Sequence, residues 1–316
     1  MGATQLREGL SIDPTDRQAA IDFYLSYYLP TQNVTLDWSG NFEECKAGEI
    51  SAAFRNAVLQ RINYFRAMAG VPADIVFNAA YNQKAQAAAL MISVNKQADH
   101  FPPQHWRCYS ADGSEAARHA NLYPSVRSPE AIDGYFLDPG AGNYAVIHRR
   151  WLLYPQTREM GTGDVPKEGD YAAANALWVV DDNHYFDNRP PTRNDFVAWP
   201  PPGFVPNLFT TGRWSFSYPN AGFEHAAVTM TLNGQALAVQ VSPLVKGYGE
   251  NTLVWEVAPA VISSLSAADS VFAVHISNVI IGSQAKDFDY SVTAFQPPVF
   301  DQESLTNHVY IPLISN

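Results

Sequence analysis

Apolar residues in the first half of the chain recur at the spacing of amphipathic helices. Between residues 51 and 69 they fall every three to four positions, and Gly70 follows as a C-terminal cap. A second helix is predicted over residues 79–94, with Asn78 as its N-cap and an alanine-rich face that permits close packing. Shorter patterns predict helices over residues 17–28 and 129–137 and a buried strand over residues 174–180.

In the second half the apolar positions alternate with a period of two, which is typical of half-buried strands. The turn signal Asn233-Gly234 separates two of the alternating segments. Strands are predicted over residues 214–218, 227–232, 237–241, 252–257, 271–276 and 290–294. Six or seven short strands in about 100 residues favour a β-sandwich.

Proline clusters separate the two halves. Pro190-Pro191 and Pro200-Pro201-Pro202 permit neither a helix nor a central strand. This stretch is therefore expected to be a stiff linker.

Composition narrows the class of protein. The formal net charge of -11 at pH 7 offers no attraction to phosphate backbones or anionic lipid surfaces, so we expect no nucleic-acid partner. No apolar run approaches the roughly 18 residues of a membrane-spanning helix, so no transmembrane segment is expected. A length of 316 residues allows two domains.

Cys45 and Cys108 flank the most helix-like part of the chain. In a secreted protein, a bridge between them would join the start of the first long helix to a loop rich in proline and histidine. The alternative is two unpaired, buried thiols. We expect the bridge if the chain is secreted.

His100 and His148 are the histidines whose surroundings suggest chemistry. His100 comes just after the second predicted helix, and His148 stands in the segment N-Y-A-V-I-H-R-R-W. A single histidine is more often a structural residue than a ligand or a catalyst. A functional role therefore depends on the two side chains meeting in one cleft.

Four segments carry a resemblance to a known family. Residues 57–66 contain Asn63 and Arg66 in an N-x-x-R pattern, and residues 85–91 form an alanine-rich stretch that leads to His100. Residues 148–153 read H-R-R-W-L-L, similar to G-H-R-x-N-L-L, and residues 160–163 read M-G-T-G, similar to a strand x-V-G-x-G. In this order and spacing, the segments resemble the CAP superfamily of cysteine-rich secretory, antigen 5 and pathogenesis-related proteins, in its bacterial SCP-like form.

The resemblance implies an α-β-α sandwich for the first half. The fold class is therefore predicted to be α+β, with a CAP-like α-β-α sandwich followed by an all-β sandwich. The predicted parts are an N-terminal extension at 1–44, the CAP-like domain at 45–188, a Pro-rich linker at 189–206, the β-sandwich at 207–298 and a C-terminal tail at 299–316.

The resemblance also implies a central cleft with two histidines and two acids. His100 and His148 match the histidines. One acid lies three residues after an aromatic residue on the third helix of the family, which matches Asp138 after Tyr135. Glu130 on the same helix is the alternative.

The other acid departs from the family pattern. The family's G-E-N-L aligns with His119-Ala120-Asn121-Leu122, which has alanine in place of glutamate. Glu115 is expected to replace it, and Glu159 is a further candidate. An intact four-residue site depends on this replacement.

These side chains permit three kinds of role. His100 and His148 can be ligands of Zn²⁺ or another divalent metal. With Glu115 and Asp138 they can form a catalytic acid–base set. The third role is a structural network that braces the helices against the sheet.

The resulting prediction is a secreted CAP-like protein whose cleft binds a small ligand or a divalent metal, with the β-domain as an accessory or adhesive module. The ligand classes considered are small molecules, lipids and cell-wall components. The alternatives are a metal-assisted, peptidase-like hydrolase and a non-catalytic cell-surface interaction protein. Because the resemblance implies an extracellular protein and the first residues lack a signal pattern, we expect that a signal peptide has been removed.

Overall fold

A computed structural model describes residues 9–265 and 268–298 of the chain. The first eight residues of the predicted N-terminal extension and the whole predicted C-terminal tail, 299–316, lie outside the described residues.

The described part of the first half contains six α-helices. The α-helices are α1 Arg17–Phe23, α2 Ala52–Ala69, α3 Ala79–Asn95, α4 Ala111–His119, α5 Glu130–Leu137 and α6 Ile147–Leu152. A π-helical turn, Tyr24–Tyr28, continues α1, and 3-10 turns cover Leu29–Thr31 and Ala141–Asn143. The Ser51 hydroxyl accepts from the Phe54 amide at 3.1 Å and the Asn78 side chain accepts from the Ala80 amide at 2.9 Å, so both side chains cap their helices.

The start of α5 differs from its prediction. The helix was predicted to begin at Pro129, directly after Ser128, but Pro129 occupies the N-cap position and no side chain caps the helix. Ser128 is buried instead, and its backbone amide donates to Asp164 at 2.6 Å. The serine therefore joins the helix to the sheet.

A four-stranded sheet lies between the helices. Its strands are β1 Val76–Phe77, β2 Ala120–Pro124, β3 Glu159–Val165 and β4 Ala174–Trp178. Their order across the sheet is β1-β3-β4-β2, with β1 parallel to β3 and the other pairs antiparallel.

Side chains of β4 alternate between two hydrophobic layers. Ala174, Ala176 and Trp178 belong to the cluster that contains the apolar residues of α3 and α4. Leu177 belongs to the cluster that contains the apolar residues of α2 and α5. This period-two alternation places helices on both faces of the sheet, and the predicted α-β-α sandwich is confirmed.

Two further sheets follow. The strands are β5 Val197–Trp199, β6 Gly203–Pro206, β7 Arg213–Ser217, β8 Ala227–Leu232, β9 Gln235–Leu237, β10 Val239–Val241, β11 Thr252–Val257, β12 Ser270–Ile281 and β13 Gln284–Phe295, with a 3-10 turn at Asn207–Phe209 and a short helix, α7, at Pro259–Ser263. The sheet orders are β10-β11-β7-β5 and β6-β13-β12-β8-β9, which agrees with the predicted all-β second half.

One predicted strand divides between the two sheets. Residues 237–241 were expected to form one strand, but β9 pairs with β8 and β10 pairs with β11. Ala238 lies between them, where the chain passes from one sheet to the other. Alternation of side chains does not reveal such a crossing, because both pieces keep the same period.

The stretch expected to be a linker, 189–206, contributes two edge strands. β5 pairs with β7, and β6 runs parallel to β13. Both strands lie at the edge of their sheets, which is where strands tolerate proline.

Aromatic rings join the helical half to the β half. Phe65 of α2 and Phe136 of α5 lie with their ring centroids 5.5 and 4.9 Å from that of Trp199 in β5. Phe65 also lies 5.0 Å from Phe209. A single hydrophobic cluster therefore extends from the helices into both later sheets.

Cys45 and Cys108 form a disulfide, as predicted. It joins the loop before α2 to the loop before α4. Within the residues that the structure describes, no helix combines the length and the apolarity needed to cross a membrane.

Candidate functional site

Asp138 and His148 form a hydrogen-bonded pair. Asp138 follows α5 in a left-handed conformation, and its side chain is fully buried. Its Oδ1 lies 2.7 Å from Nδ1 of His148, and its Oδ2 accepts from the His148 backbone amide at 3.1 Å. When the Nδ1–H group of the neutral imidazole donates to this carboxylate, Nε2 of His148 keeps its lone pair for a ligand or a proton.

Residues of β2, β4 and α5 surround this pair. The Asn121 amide donates to the His148 carbonyl at 3.1 Å, and the Tyr135 ring centroid lies 5.6 Å from the His148 ring. The Tyr135 hydroxyl is 3.0 Å from the Asn121 carbonyl and 2.8 Å from Asn175 Oδ1. Burial raises the pKa of Tyr135 well above its ordinary value, so the hydroxyl stays protonated.

Arginines hold the pair from the side of the later sheets. Arg213 of β7 donates to the carbonyls of Asp138 at 2.6 Å and Asn143 at 3.2 Å. Arg149 is buried, donating to the Phe136 carbonyl at 2.7 Å and to the Ser215 hydroxyl at 3.1 Å. Burial lowers the pKa of Arg149 to about 9. The segment that carries Asp138 and His148 is therefore fastened to β7.

His100 lies on the loop after α3, where it is exposed. Its Nδ1 is 2.7 Å from the carbonyl of Ala117 in α4. An imidazole that donates from Nδ1 keeps the Nε2 lone pair, as in His148. Both histidines contact one short stretch of chain, since the His100 ring binds the Ala117 carbonyl and the His148 backbone carbonyl binds the Asn121 amide.

The predicted acids other than Asp138 lie in different surroundings. Glu115 pairs with Lys84 at 2.6 Å, and the hydrogen bond from Lys84 lowers the pKa of the Glu115 carboxyl. Glu130 is exposed in the first turn of α5. Between the described side chains, no hydrogen bond joins His100 or Glu115 to the pair of Asp138 and His148.

Glu159, the remaining candidate acid, belongs to a second cluster with Asp181 and His184. One ligand atom from each lies within 4.8 Å of the others, and among the described residues this is the group of three suited to holding a metal ion. His184 Nδ1 lies 2.9 Å from Asp181 Oδ2. Carboxylates and imidazoles are ligands of divalent transition metals.

The carboxylate oxygens of this second cluster also accept hydrogen bonds from backbone and side-chain amides. The buried Asp181 carboxylate accepts hydrogen bonds from the backbone amides of Arg158 and Glu159, both at 2.9 Å. Glu159 accepts from the side-chain amides of Asn78 and Asn183 at 3.1 and 3.0 Å. A metal would therefore compete with a complete hydrogen-bond network.

Sequence reasoning did not identify His184. The available signal was its position three residues after Asp181, directly after the polar run Asp181-Asp182-Asn183. Glu159 lies at the start of β3, 22 residues before Asp181. Only the position of β3 in the folded chain brings it into the cluster.

Comparison with known proteins is consistent with the order of elements. Residues 59–181 match the sequence model of the cysteine-rich secretory protein family, CAP. The match runs from within α2 to just beyond β4 and ends before the two later sheets. Comparisons with curated proteins and with solved structures found no match. Residues 59–181 of the α-β-α part are therefore identified as a CAP domain, a member of the CAP superfamily.

Proposed function

We propose that this is an extracellular CAP-domain protein that binds a divalent metal or a small ligand at His148, with Asp138 as the orienting carboxylate and His100 as the second imidazole. The observation that carries the proposal is the 2.7 Å contact between His148 Nδ1 and the buried Asp138. Metal-binding histidines commonly donate their other ring nitrogen to a carboxylate or a carbonyl. Both arrangements occur here, at His148 and at His100.

The shared anchoring of the two histidines supports one cleft. Ala117 and Asn121 are four residues apart, at the end of α4 and the start of β2. The Ala117 carbonyl contacts the His100 ring and the Asn121 amide donates to the His148 backbone carbonyl, which supports neighbouring positions for the two histidines. Glu115 would have to leave Lys84 to join them.

The later sheets support the site rather than complete it. Arg213 binds the backbone carbonyls of Asp138, at the start of the loop that leads to His148, and of Asn143, in the middle of that loop. These contacts support an accessory role for the β half, because they hold the loop that carries the pair.

The disulfide supports an extracellular location. Such bonds persist in oxidising compartments and are rare in the cytosol. Small molecules, lipids and cell-wall components are the ligand classes that such a protein meets there.

The proposal is tested by titrating Zn²⁺ into the metal-free full chain by calorimetry. We expect His148→Ala to weaken the tightest binding at least tenfold, and His100→Ala to weaken it as well. His275→Ala is the matched control, because His275 forms a similar 2.8 Å pair with Asp289 on the surface of β12. It should bind like the unmodified chain.

A parallel variant separates this site from the second cluster. His184→Ala removes one ligand candidate from the group with Glu159 and Asp181 and should leave the tightest Zn²⁺ binding unchanged. If His184→Ala abolishes that binding while His148→Ala retains it, the metal belongs to the second cluster and the proposed metal site is wrong.

Metal-assisted hydrolysis is the second candidate function. The specific observation in its favour is again the orientation of His148, since a carboxylate on Nδ1 leaves Nε2 able to hold a metal that would activate a water molecule. Peptide, ester and cell-wall substrates should then be cleaved by the unmodified chain and by His275→Ala. Cleavage that persists in the double variant His100→Ala/His148→Ala would reject this mechanism.

A further inference from the structure

A cavity of about 140 Å³ lies where three parts of the chain meet. The π-helical turn after α1 contributes Tyr28, the helices α2 and α5 contribute Phe65 and Phe136, and the β half contributes Trp199 and Phe209. None of these residues belongs to either cluster of histidines and acids. Five aromatic rings therefore surround a space outside the candidate site.

The cavity matches the size of one aromatic ring. An apolar protein cavity of about 150 Å³ can hold benzene. Leu208 also lines the cavity, and 41% of its surface is exposed, so the space is near solvent. A molecule of one ring with a small substituent fits this volume.

Two buried polar atoms belong to the residues that line the cavity. Within the described part of the chain, Asp133 Oδ1 and Trp199 Nε1 have no hydrogen-bond partner. Trp199 is 1% exposed. A buried acceptor and a buried donor without partners are unfavourable, and one hydroxyl group can donate to the first and accept from the second.

The other carboxylate oxygen of Asp133 is already engaged. Oδ2 accepts from Arg61 at 2.6 Å and from the Tyr28 hydroxyl at 2.9 Å. The Arg61 guanidinium is buried and lies 3.9 Å from the Tyr28 ring centroid. Because Arg61 neutralises Asp133, the cavity offers no net negative charge, and an organic cation would meet the field of Arg61.

We propose that this cavity binds a small uncharged aromatic alcohol of about the size of phenol. The ring would lie among the five aromatic side chains, and the hydroxyl would lie between Asp133 Oδ1 and Trp199 Nε1. The inference is independent of the proposed function, because it uses neither His100 nor His148.

The test measures the affinity of the full chain for phenol, toluene and benzylammonium by ligand-observed NMR. We expect phenol to bind at least fivefold more tightly than toluene, because toluene fills the same space without a hydroxyl. Benzylammonium should bind more weakly than phenol, because its charge is not neutralised in the cavity.

Trp199→Phe keeps an aromatic ring and removes the N–H group. We expect the ratio of phenol affinity to toluene affinity to fall at least threefold in this variant, with folding confirmed by circular dichroism. The ratio is used because it cancels a change in cavity volume. Trp214→Phe is the matched control, since Trp214 Nε1 is also buried without a partner among the described residues, and Trp214 does not line the cavity.

Several results would overturn the inference. Equal binding of phenol and toluene would mean that the hydroxyl is not recognised, and tightest binding of benzylammonium would mean a cation site. An unchanged ratio in Trp199→Phe would remove the proposed hydrogen bond. Absence of binding by all three probes would show that the cavity is not a ligand site.

Discussion

Asp164 is a fully buried carboxyl group within β3 of the CAP sheet. Its Oδ1 accepts from the Ser128 amide at 2.6 Å and from Asn175 at 3.0 Å, and its Oδ2 lies 2.9 Å from the Thr162 hydroxyl. Burial raises the pKa of Asp164 to about 6, although these hydrogen bonds oppose the shift. The folded chain therefore keeps this proton at a pH where the unfolded chain loses it.

This shift gives stability a defined pH dependence. Between about pH 4 and pH 6 the folded state holds more protons at Asp164 than the unfolded state, so the contribution of this group to the unfolding free energy falls as the pH rises. Asp164→Asn resembles the protonated form. As the pH rises from 4 to 7, we expect the free energy of unfolding of the variant to increase by up to about 3 kcal/mol relative to that of the unmodified chain.

Urea unfolding of both chains at pH 4, 5.5 and 7 checks this expectation. Asp170→Asn is the control, because Asp170 is exposed and should give a difference that does not vary with pH in this way. A pH-independent difference for Asp164→Asn would contradict the assignment of the titration to Asp164.

Asp138 is predicted to act through His148. Asp138→Asn replaces a carboxylate at 2.7 Å from Nδ1 by a neutral amide, which orients the imidazole less strongly. We expect Zn²⁺ affinity at His148 to fall about 10- to 100-fold. The surface counterpart Asp289→Asn, beside His275, should leave the affinity unchanged. Calorimetry of both variants would count against an orienting role for Asp138 if they bind equally well.

The C-terminus of α2 is fastened to the chain that follows the CAP domain. Gly70 ends the helix with φ +76°, and its carbonyl accepts from the Arg193 amide at 2.8 Å. The Arg193 side chain donates in turn to the Ala67 carbonyl at 3.1 Å. A Cβ atom at position 70 would lie 2.7 Å from Cβ of Arg193.

Gly70→Ala should therefore lower the free energy of unfolding by more than the strain of a left-handed alanine alone. Gly282→Ala is the matched control, because Gly282 has φ +62° and a Cβ there would meet nothing within 4 Å. We expect the free energy of unfolding, measured in urea, to fall by about 1 kcal/mol in Gly282→Ala and by at least about 2 kcal/mol in Gly70→Ala. Equal losses would show that Arg193 moves aside without cost.

The elements differ in how readily the sequence predicts them. The helices α2 and α3 were placed within a residue or so of their ends, because their spacing and caps are local signals. The helix α4 and the strand β2 were not predicted. His119 and Ala120 mark the change from one to the other without a turn residue between them, so no local signal separates these two short elements.

At the scale of the whole molecule, one disulfide closes a long loop. Cys45 and Cys108 are 63 residues apart, and the loop between them contains α2 and α3. By the chain-entropy argument, such a link stabilises the folded chain by about 4 kcal/mol. We expect the free energy of unfolding of the double variant Cys45→Ser/Cys108→Ser, measured in urea, to be lower than that of the oxidised chain by about this amount.

Reductant provides the control for the disulfide. It should lower the stability of the unmodified chain toward that of the double variant, and it should leave the double variant unchanged. If the double variant unfolds at the same urea concentration as the oxidised chain, the cross-link contributes no stability.

The sequence indicated which residue types form the candidate site, but it indicated less well which side chains contact each other. Asp138 was selected because it follows Tyr135 by three residues, and it contacts His148. Glu115 was selected to replace a missing acid, and it pairs with Lys84, 31 residues away. The sequence pattern cannot distinguish these outcomes, because each depends on which side of a helix faces which neighbour.

The sequence by itself determined the α+β class, the caps of α2 and α3, the alternating strands of the second half and the two histidines that stand out. These features depend on residues within a few positions of one another, where spacing and side-chain type are sufficient. Only the tertiary structure decided that His184 joins Glu159, that Arg213 of the β half holds the Asp138 loop, and that five rings from three parts of the chain enclose a cavity. Those contacts join residues far apart in sequence, and packing of whole elements brings them together.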